Sequence, residues 1–143
     1  MIKIDEVKYV DNPLKLNGVT VVNDAICALE TLQNGKEVAR YEFGDSMKPI
    51  LLSGEYCVLK PLKNGQEANI GDAVFCSVGG YLMTHLVVMK SNSAKDGKPY
   101  YLIGSTDGSV YGWTDQVYAL AQGTRICQKY DFDDIEEIIE PNI

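Results

Sequence analysis

Histidine is almost missing from this chain, with one in 143 residues, and no stretch gathers lysine and arginine into a patch. Without a basic stripe the footprint that phosphate-backbone binding requires is lacking, so direct nucleic-acid recognition is not expected. The four cysteines, Cys27, Cys57, Cys76 and Cys127, stand far apart with no Cys-x-x-Cys pair and no adjacent histidine. That spacing excludes a zinc site and a catalytic dithiol and leaves buried free thiols in a reducing compartment as the expectation. No cofactor or metal is implied. No apolar run approaches the ~18 residues of a membrane span. The first twelve residues carry charge at every second or third position, where a signal peptide would be continuously apolar. A cytoplasmic protein without a membrane anchor is therefore expected.

What is present is unevenly distributed. The net charge is -7, but Asp131, Asp133, Asp134, Glu136, Glu137 and Glu140 lie in the last thirteen residues without a single base, leaving 13 bases against 14 acids elsewhere. The body is nearly neutral and the tail, 131–143, is acidic. Phe132, Ile135, Ile138 and Ile139 recur in that tail at near-helical spacing before Pro141, so it reads as a solubilising terminus or a docking helix. A chain of this length forms a single domain that buries about 68% of its unfolded surface.

Leu14-Lys15-Leu16 and Val19 to Val22 flank Asn17-Gly18, the pattern of a tight hairpin. Asn23 or Asp24 is placed to cap a helix in which Ala25, Ile26, Ala28, Leu29 and Leu32 recur at helical spacing, with Asn34-Gly35 as its stop. Residues 1–37 thus form a hairpin and helix. From Glu37 onward short β-rich runs alternate with Gly, Asn, Asp and Pro: Val38 to Phe43, Tyr56 to Leu59, Ala73 to Val78, Tyr81 to Met89, Tyr100 to Ile103 and Gln116 to Ile126. The absence of a βαβ rhythm predicts a mainly β, mostly antiparallel α+β fold over residues 38–130, with the helix at its edge.

The segment Gly44-Asp45-Ser46-Met47-Lys48-Pro49 leaves a strand through a glycine, and Pro49 with Ile50-Leu51-Leu52 suggests a helical turn closed by Ser53-Gly54. A serine at such a strand exit has backbone N–H groups nearby that are free to face a developing oxyanion. By itself the serine reads as a turn residue or a helix cap. His85 sits on an apolar strand, sharing a face by alternation with Tyr81, Met83, Val87 and Met89, while Leu82, Leu86 and Val88 fill the other. Such a histidine is either a general base or a buried side chain bonded to a carbonyl.

Gly44 to Pro49, followed by Leu52-Ser53-Gly54-Glu55-Tyr56-Cys57-Val58-Leu59, resembles the nucleophile box of the LexA-like and type I signal peptidases. A second stretch in the expected order, Ile70-Gly71-Asp72-Ala73-Val74-Phe75, is similar to that family's Gly-Asp strand. The resemblance covers residues 38 to 126 and implies a LexA C-terminal-domain-like fold. It implies Ser46 as nucleophile, with Asp45, Ser46 and Met47 forming the oxyanion and substrate groove. The position that holds a lysine base in most of the family holds His85, as in the archaeal and endoplasmic-reticulum signal peptidases. An imidazole titrates near neutral pH without the desolvation a lysine needs. Lys90 and Lys60 are fallback bases expected to face water. The histidine-type relatives orient the base with an aspartate from a later loop, which matches Asp107, with Thr106 and Asp115 as alternatives.

No transmembrane segment precedes Ser46, so secretory processing is not expected. No Ala-Gly or Cys-Gly dipeptide and no helix-turn-helix pattern occurs in residues 1–45, so self-cleavage in the usual way is not expected either. What remains is a stand-alone, phage- or mobile-element-like serine endopeptidase acting on a protein or peptide partner or on an atypical site in itself. Relatives of this kind pair through exposed strands, so a homodimer is compatible. The alternative is an inactive scaffold that presents its groove to a peptide as an added strand.

Overall fold

The structure, a computed structural model, describes residues 18–42, 44, 47, 51 and 54–123. The first arm of the expected hairpin, Asp45, Ser46, Cys127 and the acidic tail lie outside the described residues. Gly18 adopts φ 84°, a conformation its lack of a side chain permits, and leads into β1 (Thr20–Val21). Asp24 then caps α1 (Ala25–Gln33), its carboxylate accepting from Cys27 N–H at 2.9 Å. That bond holds the Asp24 carboxyl below its ordinary pKa. Asn23 serves elsewhere: its side-chain oxygen accepts from Tyr41 N–H at 3.1 Å and its carbonyl from the Arg40 guanidinium at 3.2 Å. Both bonds tie the helix entrance to β2 (Val38–Tyr41).

Six further strands complete the sheet: β3 (Tyr56–Pro61), β4 (Ala73–Val78), β5 (Tyr81–Asn92), β6 (Pro99–Gly104), β7 (Val110–Thr114) and β8 (Val117–Gly123). They lie in the order β1-β2-β3-β8-β4-β5-β6-β7. All neighbours are antiparallel except β1 and β2. Among the described residues the protein is thus mainly β, with one mixed sheet and one short helix, and no helix is long and apolar enough to cross a membrane.

β4 is buried along its whole length, and alternation splits it between two clusters. Ala73 and Phe75 join Ala28 and Leu32 of α1 together with Val38, Leu59, Leu86 and Val88. Val74, Cys76 and Val78 join Ala68, Val87, Tyr101 and Ile103 on the other face. Full burial of side chains such as Phe75 and Leu59 stabilises the fold by about 1.5–3 kcal/mol each. The second face is covered because the sheet curls. Thr114 Oγ1 donates to the Ser77 carbonyl at 2.5 Å, joining the end of β7 to β4. Gly112 at φ 149° lies where a methyl group would stand 3.2 Å from Val78 Cγ1.

Four expectations change. β1, expected as the second arm of a hairpin, pairs in parallel with β2. β7 was not expected, because Gly112 interrupts a short run that otherwise reads as loop. A bulge between Val87 and Met89 swings Met89 onto the face of Leu86 and Val88, away from the face of His85. Cys57 and Cys76 are buried free thiols, whereas Cys27 is exposed on α1, since the capped helix turns that position outward. Burial pushes the Cys76 thiol up to about 12.

Candidate functional site

Beyond Tyr41 the chain makes an excursion that returns at Gly54. Glu42 N–H donates to the Glu55 carbonyl at 3.1 Å and Gly54 N–H donates to the Glu42 carbonyl at 2.6 Å, fastening the two ends. Gly44 and Gly54, at φ 104° and 81°, stand near those ends. Inside the excursion Leu51 N–H donates to the Met47 carbonyl at 2.9 Å, the i+4 spacing of a helical turn, and both side chains enter the core beside α1.

The Glu42 side chain reaches the other way. Its Oε1 accepts from Thr84 Oγ1 at 3.0 Å and from Cys57 Sγ at 3.5 Å. Thr84 immediately precedes His85 on β5, so this bond couples the mouth of the excursion to the strand that carries the histidine. Burial and the Glu42 charge together push the Cys57 thiol far above its ordinary range. Between these elements lies a cleft of about 190 Å³ whose walls include Arg40, Glu42, Gly44, Met47, Thr84 and His85.

β5 pairs with β4 from Tyr81 to Leu86 but with β6 only from Leu86 onward. Among the described residues, positions 81–84 have no ladder partner on the β6 side, and Leu82, Met83 and Thr84 line the cleft. Strand edges of this kind accept an extended chain as an added strand.

His85 is half-buried, with Nδ1 sealed from solvent, and its ring lies 4.5 Å from that of Tyr111, centroid to centroid, at 52°. Burial lowers its pKa, and the opposing influence is the negative charge of Asp107. Asp107 tops the β6–β7 turn, where Ser105 N–H donates to the Ser109 carbonyl at 2.9 Å. One carboxylate oxygen accepts from Ser105 Oγ and from Ser109 N–H at 2.9 Å, and those bonds, Ser105 first, hold its pKa below the ordinary range. Thr106 is buried in the same turn. Asp115 instead lies beyond β7, where it acts on Tyr100 and Tyr118.

Of the residues singled out in the sequence, Met47 and His85 meet at one cleft, and Asp107 is close enough to His85 for its charge to be felt. Ser46 and Asp45 lie outside the described residues. Lys90 is not a bare surface cation: its Nζ is 3.2 Å from Glu67 and lies over the Tyr101 ring at 5.8 Å. Lys60 is exposed and lines a separate concavity of about 780 Å³ between the end of α1 and the ends of β3 and β8. That larger space is lined by no serine, cysteine or histidine. Among the described residues no group of three or more His, Cys, Asp or Glu side chains is placed to hold a metal ion. Glu42 and Tyr111 were missed in the sequence, because neither falls at a spacing that predicts contact with Thr84, 42 positions from Glu42, or His85, 26 positions from Tyr111.

No protein-family model matches the chain, and no match was found among curated proteins or solved structures.

Proposed function

We propose that this protein is a serine peptidase of the LexA and type I signal peptidase kind, with His85 in place of the more usual lysine base. Ser46 Oγ attacks the carbonyl of a bound peptide while His85 accepts its proton. Backbone N–H groups around Asp45 to Met47 receive the oxyanion, and the protonated imidazole then returns its proton to the leaving amine. Asp107 lends negative charge that steadies the imidazolium.

The observation that carries the reading is that Gly44 and Met47, which bracket Ser46 in the chain, line the same cleft as His85. The edge of β5 at positions 81–84, which has no ladder partner on the β6 side among the described residues, supports an extended peptide as substrate, laid along the cleft by main-chain hydrogen bonds. That edge serves equally well a module that binds peptides without cutting them, and the exposed apolar side chains of Tyr81 and Val110 favour such contact. The two functions separate on chemistry. Digestion of a broad peptide library by the wild-type protein, followed by mass spectrometry, is expected to yield products that Ser46→Ala does not, with both proteins folded. Identical product profiles leave only the binding module.

A further inference from the structure

We propose that Tyr111 is a positioning residue for the His85 imidazole, its ring fixing the plane of the base and shielding one face from bulk water. The catalytic part of this inference rests on the reading of His85 as general base; the shielding itself does not. Ring centroids 4.5 Å apart at 52° place the phenol against the imidazole, within the range of direct aromatic contact. The same hairpin, β6 to β7, supplies Asp107 and Tyr111, so one element brings both a charge and a cover to the histidine.

β7 is held where it is. Gly112, the next residue, lies where even a methyl group would press on Val78 of β4, and Thr114 is hydrogen-bonded to Ser77 on that same strand. Tyr111 therefore cannot withdraw from His85 without breaking the closure of the sheet. Tyr111 itself is 43% exposed.

An aromatic neighbour has two opposed effects on an imidazole. Its face attracts the cation, which raises the pKa, and its bulk excludes water, which lowers it. Burial is the largest cause of the lowered pKa of His85, and a ring set against one face of the imidazole adds to that burial. Among the described residues, the other charged groups around His85 are Asp107 on the β6–β7 turn and Arg40 and Glu42 across the cleft, none of which a change at Tyr111 alters.

His85 is the only histidine, so its ring can be titrated by NMR without competing signals. Tyr111→Phe is expected to leave the midpoint unchanged, and Tyr111→Ala to raise it by about half a unit or more as water reaches the ring. Tyr111→Thr, which suits a strand and removes the ring, is expected to raise it likewise and stands in if the alanine variant does not fold. A midpoint that stays put or falls in the variants lacking the ring overturns the proposal. In a peptide-cleavage assay the acidic limb of the pH–rate profile should follow the NMR midpoint, which a merely structural tyrosine would not cause. Failure of the wild type to cleave any peptide defeats the general-base reading alone, because the titration still decides whether Tyr111 shields the ring.

Discussion

At the scale of single residues, the proposed chemistry turns on how one imidazole is kept neutral yet able to accept a proton. His85 is drawn from water into a half-buried position, which disfavours its cation, while Asp107 partly offsets that cost from the adjoining turn. The sign follows directly. Asp107→Asn removes the opposing charge, so the histidine midpoint should fall further below 6.5, and an NMR titration in which it rises would show that the carboxylate does not act on the ring. With its pKa below the ordinary value, His85 is neutral over most of the range above pH 6.5. Cleavage should therefore gain its base form as pH rises through the His85 midpoint and hold a plateau near neutrality, measurable as kcat/KM against pH. His85→Ala should lower kcat by about 10²–10⁴-fold. The place of His85 on an apolar strand was legible in the sequence because it follows a local pattern. Tyr111 was not, because a contact between β5 and β7 exists only after the sheet has closed.

At the scale of elements, two devices hold the parts of the site together. One is the Glu42 carboxylate, which receives the Thr84 hydroxyl and the Cys57 thiol while its own backbone fastens the excursion that contains Ser46. Glu42→Ala deprives a buried hydroxyl and a buried thiol of a charged acceptor and should cost about 1–3 kcal/mol in urea unfolding. It should also lower cleavage more than that loss of stability accounts for, as assayed well below the unfolding midpoint. The second device is Gly104, where an added methyl group would meet the Ser109 carbonyl at 2.6 Å and so force open the hairpin that carries Asp107. Gly104→Ala is expected to destabilise by about 1–3 kcal/mol in the same measurement. Strong local signals made α1 and β4 readable, since a capped amphipathic run and an unbroken apolar stretch specify their own geometry. β7 and the β5 bulge escaped because a glycine depressed the first and one extra residue shifted the second, and neither leaves a periodic mark.

At the scale of the whole molecule, the order of strands is what places the site. β8 arrives last and inserts between β3 and β4, and the curl of the sheet then returns β7 to β4. Such non-local pairings carry no signature in a linear sequence, which is why the elements were largely foreseen and their arrangement was not. Both faces of β4 depend on this closure. Ile103→Ala, which opens a cavity in the cluster on the β7 side, should cost about 2–5 kcal/mol by urea unfolding, and a loss near zero would show that this face is not packed as described. The central claim is spatial: the Ser46 hydroxyl and the His85 imidazole share one cleft. The most direct measurement is the separation of Ser46 Oγ and the nearer ring nitrogen of His85 in a crystal structure. A separation of roughly 2.6–3.2 Å, or slightly longer without substrate, is the predicted result. A serine turned away into the core or onto another face of the sheet, beyond the reach of even a bridging water, would contradict it.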